Sequence, residues 1–219
     1  MRTSPENIVP TPLLEGIGRE AQADLFTCLG ARTASYAKGE TVLREGETTV
    51  RIGLVLSGRA RTLKHEPDGG STMISLLRQG SVIGVLLAAS PGRKSPVTVE
   101  ALTALSVLFL PYDRVAARCG KACEAHDRLI RNLLAVIAEK ALLLHDRNDC
   151  LIRPSVRSKV LAYLGRFQQH CPGESFTIPL NRAMLAAYLH VDRSALSREL
   201  ARMKRDGILE VEQNTFRLR

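Results

Sequence analysis

Apolar positions change their period twice along this chain. Residues 17 to 29 carry Leu25, Phe26 and Leu29 at helical spacing and predict a short helix. From about 34 to 112 short apolar runs are broken by Gly39, Gly46, Gly58, Gly69-Gly70, Gly80 and Gly84. Ile52-Gly53-Leu54-Val55-Leu56 and Met73-Ile74-Ser75-Leu76-Leu77 read as strands, and Asp68-Gly69 between two such runs is a hairpin signal. Many short strands separated by turn residues predict an antiparallel barrel or jelly roll.

From about 122 the period becomes helical. Ile130, Leu134, Ile137, Ala141, Leu144 and Leu151 recur at steps of four and three, with Asn148 at the one polar seam position. That is a coiled-coil seam, in which a buried polar pair would fix register. Leu129, Leu133, Val136 and Leu143 form a second apolar line beside it. One line suits the chain's own strands and the other a second copy; an ordinary buried helix within one subunit is the competing reading. Arg153-Pro154-Ser155 interrupts the helix, with proline suited to the first turn of a new one, and a domain boundary and hinge are placed there. Val156, Val160, Leu161, Leu164 and Phe167 resume helical spacing as far as Pro172-Gly173.

Residues 177 to 209 hold two short helices in succession. Asn181 is placed to cap the first, whose apolar face is Met184, Leu185, Tyr188 and Leu189, with Ala186 small enough for a close helix crossing. His190-Val191 forms the turn, and Asp192 caps a helix beginning at Arg193. There Leu196, Leu200 and Met203 form the buried side, while Ser194, Ser197, Arg198, Ala201 and Arg205 point away and Arg193 flanks them. A short, polar, cationic face with small residues between arginines can enter a major groove. Arginine's planar fork matches two acceptors on guanine, Ser194 and Ser197 can donate to a base or phosphate, and Lys204 and Arg205 lie where phosphates would pass. Asn181 and Arg182 complete the candidate DNA contacts. Beyond Gly207, Ile208-Leu209-Glu210-Val211 and Thr215-Phe216-Arg217-Leu218 alternate around Gln213-Asn214, as the hairpin wing of a winged helix does.

Charge agrees with a polyanionic partner. The 219 residues carry a formal net charge of +9. Residues 153–219 hold 12 Lys/Arg against 6 Asp/Glu, net +6, and residues 1–152 hold 19 against 16, net +3. No apolar run approaches the roughly 20 residues of a membrane span and no signal-type segment opens the chain, so a cytoplasmic protein without a membrane partner is expected. Cys28, Cys119, Cys123, Cys150 and Cys171 are odd in number and scattered, unlike a disulfide framework.

With those motifs in place the chain resembles the Crp/Fnr family of bacterial transcription regulators, from about residue 20 to 219. The likeness is strongest over Arg182–Leu189 and Asp192–Leu200, and extends to Lys38-Gly39-Glu40, Glu45-Gly46-Glu47 and the helix from Val156 to Leu164. It implies an α+β fold in three parts: an effector-sensing antiparallel β-roll of the cyclic-nucleotide-binding jelly-roll type over 1–121, a dimerisation helix over 122–152, and a winged helix-turn-helix over 153–219. It also implies a homodimer reading double-stranded DNA, with RNA polymerase as a further partner. Arg193, Ser194 and Arg198 would occupy the three base-reading positions. The middle position is often Glu in the family, so Ser194 implies a different target. His190 stands where the family usually has Gly, and His tolerates positive φ better than most residues.

The effector region departs further from the family. Its cyclic-nucleotide binders place Gly-Glu-Leu before a loop and Arg-Ser after it. Here the first segment is Gly84-Val85-Leu86-Leu87, without Glu, and the second is Arg93-Lys94-Ser95-Pro96-Val97-Thr98, with Ser95 at the Arg position. The expected effector is therefore not a cyclic nucleotide, although Arg93 or Lys94 could still reach a phosphate if the loop shifts, and an apolar pocket around these residues would suit a hydrophobic small molecule or haem. His65, His126 and His145 are candidate haem ligands, and Cys119 with Cys123 could share a helix face but are too few for a cluster. A sensor acting through a protein partner rather than DNA is the alternative. No nucleophile with a matched base, P-loop, metal-ligand spacing or paired acidic motif points to an enzyme.

Overall fold

The structure is a computed structural model, and it describes residues 10–66, 68–117, 123–169 and 171–219. Cys119 and the expected boundary at 121–122 lie outside the described residues. The chain divides into two compact units, Met1–Ala138 and Glu139–Arg219.

In the first unit helix α1 (Arg19–Leu29) precedes eight strands: β1 (Arg32–Tyr36), β2 (Thr41–Leu43), β3 (Arg51–Ser57), β4 (Ala60–His65), β5 (Ser71–Leu77), β6 (Val82–Ile83), β7 (Thr98–Ala101) and β8 (Leu105–Pro111). A one-turn helix, α2 (Val85–Ala88), lies between β6 and β7, and α3 (Tyr112–Ala116) follows β8. The strands make two four-stranded sheets, ordered β1-β8-β3-β6 and β2-β7-β4-β5, with every pairing antiparallel. The expected hairpin joins β4 to β5, where the Gly69 amide donates to the Glu66 carbonyl at 3.0 Å.

Strand β3 is buried on both faces because its alternate residues serve two cores. Ile52, Leu54 and Leu56 pack with Leu25, Phe26 and Leu29 of α1 and with Leu129, Leu133 and Val136 of the long helix α4 (Glu124–Leu151). Val55 faces the other way, into a core shared with Leu43, Val99, Val107 and Phe109 between the two sheets. Gly53 also lies on that inner side: a β-carbon there would meet Val107 Cγ1 at 3.0 Å and Phe109 at 3.1 Å, so glycine leaves room for the side chains of the neighbouring strand β8 in its own sheet.

Leu129, Leu133 and Val136 thus fulfil the expectation that one line of α4 faces the chain's own strands. Leu143, read as part of that line, does not: it is exposed. So are Leu134, Ala141 and Leu144 on the seam, while Ile130 and Ile137 are half-buried.

The second unit takes the last turns of α4 with α5 (Val156–Gln168), β9 (Phe176–Thr177), α6 (Arg182–Leu189), α7 (Arg193–Arg205), β10 (Leu209–Glu212) and β11 (Thr215–Leu218). The helix break at 152–155 is where the sequence places it, with one difference. Ser155 is the cap, exchanging bonds with Ser158, so Pro154 precedes the helix rather than sitting in its first turn. The break also lies inside the second unit, and contacts cross it. Asp146 accepts from Arg166 at 2.7 Å, the Arg147 guanidinium lies 5.4 Å from the Tyr188 ring, and Cys150 is buried among the aromatic and aliphatic residues of α5 to α7.

Candidate nucleic-acid interface

Two local caps set the reading element. Asn181 Oδ1 accepts from the Met184 amide at 2.9 Å and starts α6. Leu185, Ala186 and Leu189 bury its inner face, and His190 then adopts φ 51° and ψ 57°, the left-handed turn expected of it. Asp192 Oδ1 accepts from the amides of Ser194 at 2.8 Å and Ala195 at 3.0 Å and starts α7. Leu196, Leu200 and Met203 fall on one side of α7 and are buried. The opposite side, Ser194, Ser197, Arg198, Ala201 and Arg205, is exposed, as are Arg193 and Lys204.

Bonds from the Ser194 hydroxyl and the Ser194 and Ala195 amides hold the Asp192 carboxyl below its ordinary range. The group is ionised more readily in the fold than in the unfolded chain. Its contribution is therefore complete above the ordinary carboxylate value and lost as pH falls through the lowered one. Asn caps as well as Asp but does not titrate. Asp192→Asn should flatten the acid limb of stability between about pH 5 and the lowered value, read as thermal midpoint against pH. Parallel curves for the two proteins would remove Asp192 from the acid response.

The arrangement qualifies two of the expected DNA contacts. Ser194 Oγ donates to Asp192 Oδ1, and Ser197 Oγ donates to the Arg193 carbonyl at 2.9 Å. Both hydroxyl protons are thus engaged in the helix itself, leaving oxygen lone pairs outward; donation to DNA requires the hydroxyls to rotate. Arg193 and Arg198, by contrast, have no ion-pair partner among the described residues, so their guanidinium forks are free for an external acceptor. Arg182 has an internal task. It donates to the Gln213 carbonyl at 2.9 Å and lies 5.1 Å from the Phe216 ring, joining α6 to the turn of the wing, and burial lowers its pKa.

The wing is the hairpin β10–β11, turned at Gln213 with φ 50°. A third strand, β9, pairs with β11 through Phe216 and Thr215. The sequence reading missed it, since two residues show no period; Phe176 after the Pro172-Gly173 turn was the only signal.

The expected effector residues are brought together differently from the sequence reading. Gly84 takes φ 71° and caps α2, whose Val85 and Ala88 are buried in the core beneath β3. Leu86 and Leu87 pack half-buried against the two cores of the unit. Arg93 donates to both carboxylate oxygens of Asp113, at 2.9 and 3.4 Å, and Lys94 makes a backbone bridge to Thr48. Ser95 is buried with its hydroxyl on the Val97 carbonyl at 2.6 Å, and Thr98 Oγ1 accepts from the Glu45 amide at 3.1 Å.

In this structure Val85 lies in the core, and Leu86 and Leu87 pack half-buried against it. The cavity beside Gly84, edged by Val42, Thr49, Arg51 and Phe109, encloses about 90 Å³, well short of a drug-sized ligand site. Two of the three candidate haem ligands hold other partners. His126 Nε2 is committed to the Val115 carbonyl at 3.0 Å, His65 Nε2 lies 3.1 Å from Thr98 Oγ1, and His145 is exposed on α4. Among the described residues no three His, Cys, Asp or Glu side chains gather as a metal site would require.

Comparison with known proteins agrees with both halves of this architecture. The family model described as a cyclic nucleotide-binding domain matches residues 33–121, and that described as a Crp-like helix-turn-helix domain matches 158–219. The nitrogen fixation regulation protein FixK of Bradyrhizobium diazoefficiens is 27% identical over 191 residues, covering 85% of this chain and 77% of its own. The transcriptional activator protein FnrA of Stutzerimonas stutzeri is 25% identical over 182 residues, covering 83% and 74%. The crystal structure of the Thermus thermophilus catabolite activator protein shares the fold with a TM-score of 0.55 at 20% identity, over 95% of this chain and 94% of that one.

Proposed function

The chain belongs to the Crp/Fnr family of DNA-binding transcription regulators, and from that premise we propose that it acts as a homodimer reading a specific operator through Arg193, Ser194 and Arg198. The observation that carries this reading is α7 itself. It is capped by Asp192 and anchored by Leu196, Leu200 and Met203, and it presents two arginines that form no ion pair among the described residues beside small residues. The family's members are regulators and not enzymes.

The proposed division of labour is a sensing roll over 1–121, a dimerisation helix over 122–152 and a reader over 153–219. Ile130, Leu134, Ile137, Ala141 and Leu144 form the dimer seam. Its support is exposure: among the described residues Leu134, Ala141 and Leu144 are exposed. Two readers joined by such a seam would address half-sites about one helical turn, roughly 34 Å, apart. Lys204 and Arg205 meet phosphates, and Asn181 and Arg182 act at the DNA edge by fixing the start of α6 and the wing. RNA polymerase is the further partner that membership of the family implies. No helix among the described residues is long and apolar enough to cross a membrane, and a DNA partner places the protein in the cytoplasm.

The proposed effector is not a cyclic nucleotide. Val85 follows Gly84 where a carboxylate would be needed, and Arg93 already binds Asp113. An effector engaging Val85, Ser95 or Thr98 must open the packing described above, whereas Gly84, Leu86, Leu87 and Arg93 are part-exposed and Lys94 is exposed.

Arg198→Ala tests the reader. It should weaken binding to an operator selected from random DNA by about 1–3 kcal/mol and relax preference at one base pair per half-site. Undiminished protection of that operator would remove Arg198 from the reading set. Unimpaired regulation after deletion of residues 177–219 would favour a protein partner as the output.

A further inference from the structure

Arg157, in the first turn of α5, is an odd place for a cation, because the positive end of the helix dipole disfavours it. Its surroundings explain the placement. Nε donates to Glu199 Oε1 at 2.6 Å and Nη2 donates to Asp206 Oδ2 at 2.7 Å. Glu199 lies midway along α7 and Asp206 is its C-cap, seven residues on and two turns away on the same face. The Glu199 side chain is only 15% exposed, and its other cationic neighbour, Arg202, stands at 3.8 Å.

From this geometry we infer that Arg157 is a positioning residue for DNA recognition, holding α7 in rotation and tilt through Glu199 and Asp206 without touching DNA. The inference rests on the proposed reading of α7 as the recognition helix. The buried Leu196, Leu200 and Met203 fix which side of α7 faces inward, but apolar packing is non-directional and tolerates small rotations. A two-pronged guanidinium bridge to points two turns apart does not. Arg198 adjoins Glu199 in sequence, so a rotation of α7 that follows loss of the bridge carries the base-reading fork off its acceptors.

The experiment is a double-mutant cycle in the full-length protein. Binding is measured to the sequence the wild type selects from a random duplex library and to unrelated DNA, over a range of salt concentrations. Arg157→Ala should weaken binding to the selected sequence by about tenfold, within the range for coupled contacting groups. Binding to unrelated DNA and the salt slope should stay as in wild type, because the guanidinium neutralises carboxylates rather than phosphates. Adding Glu199→Ala to Arg157→Ala should cost little further, because the bridge is already gone, and Arg157→Lys should recover part of the loss. Glu199→Gln keeps the side chain's shape and breaks the charged bridge, and should shift the selected base preference in the same way as Arg157→Ala. It covers the case in which Arg157→Ala unfolds the unit.

A salt slope reduced by about one, with additive effects at 157 and 199, would make Arg157 an ordinary phosphate contact and overturn the inference. So would wild-type sequence preference in both Arg157→Ala and Glu199→Gln. A wild type that selects no sequence at all would instead overturn the DNA-reading proposal beneath it.

Discussion

Truncating Leu200 to alanine should take much of the stability of the second unit and weaken operator binding, while leaving the β-roll intact. Leu200 is 3% exposed at the centre of α7, within a core that also takes Val160, Leu164, Leu185 and Phe216. Removing its branched end costs about 2–5 kcal/mol, depending on how far the site collapses. A domain as small as the second unit holds roughly 5–10 kcal/mol in total, so the loss takes much of its reserve. The first unit keeps its own two cores, neither of which includes Leu200. Hydrogen exchange should therefore show protection lowered in α5 to α7 and retained in β3 and β8. Wild-type protection in α7 together with wild-type operator affinity would show that Leu200 does not anchor the helix.

Features of this site that depend on neighbours in sequence were readable from the chain. Asn181 and Asp192 cap because their side chains reach amides two or three residues on, and the inward faces of α6 and α7 follow from helical spacing. His190 takes the left-handed turn because the chain must reverse between two capped helices. The three-part fold was readable for a related reason: the change from short glycine-punctuated runs to a long helical period is local at every step.

The remaining features depend on groups far apart in sequence. Val85, Leu86 and Leu87 read as pocket wall, yet an apolar side chain looks the same in sequence whether it lines a cavity or fills it. Arg93 pairs with Asp113, twenty residues on, and nothing beside it in the sequence announces that partner. Arg157 carries no signal of its two partners on α7, and β9 is too short to show alternation. Ser194 and Ser197 read as free donors, because a hydroxyl's choice between its own helix and a ligand is made by geometry.

Placing Glu at both Leu134 and Leu144 should convert a dimer into a folded monomer. In the single chain the two side chains are 61% and 57% exposed, so each substitution replaces apolar surface already in water. Such changes usually alter the stability of an isolated chain by no more than about 0.5 kcal/mol. In a two-helix seam the same positions face their counterparts, and four carboxylates would have to be desolvated against one another. Wild type should sediment at twice the 24.0 kDa of the chain, and the variant at that mass with an unchanged far-ultraviolet spectrum. Operator affinity should fall by about 10²–10⁴, because the second half-site no longer gains from the effective concentration that the seam supplies. Affinity for a single isolated half-site should be nearly unchanged, since Arg193 and Arg198 are untouched. A wild type that sediments as a monomer, or a variant that remains dimeric with full operator affinity, would move the subunit contact away from this face of α4. Such a result would leave the exposure of Leu134, Ala141 and Leu144 to be explained by another partner.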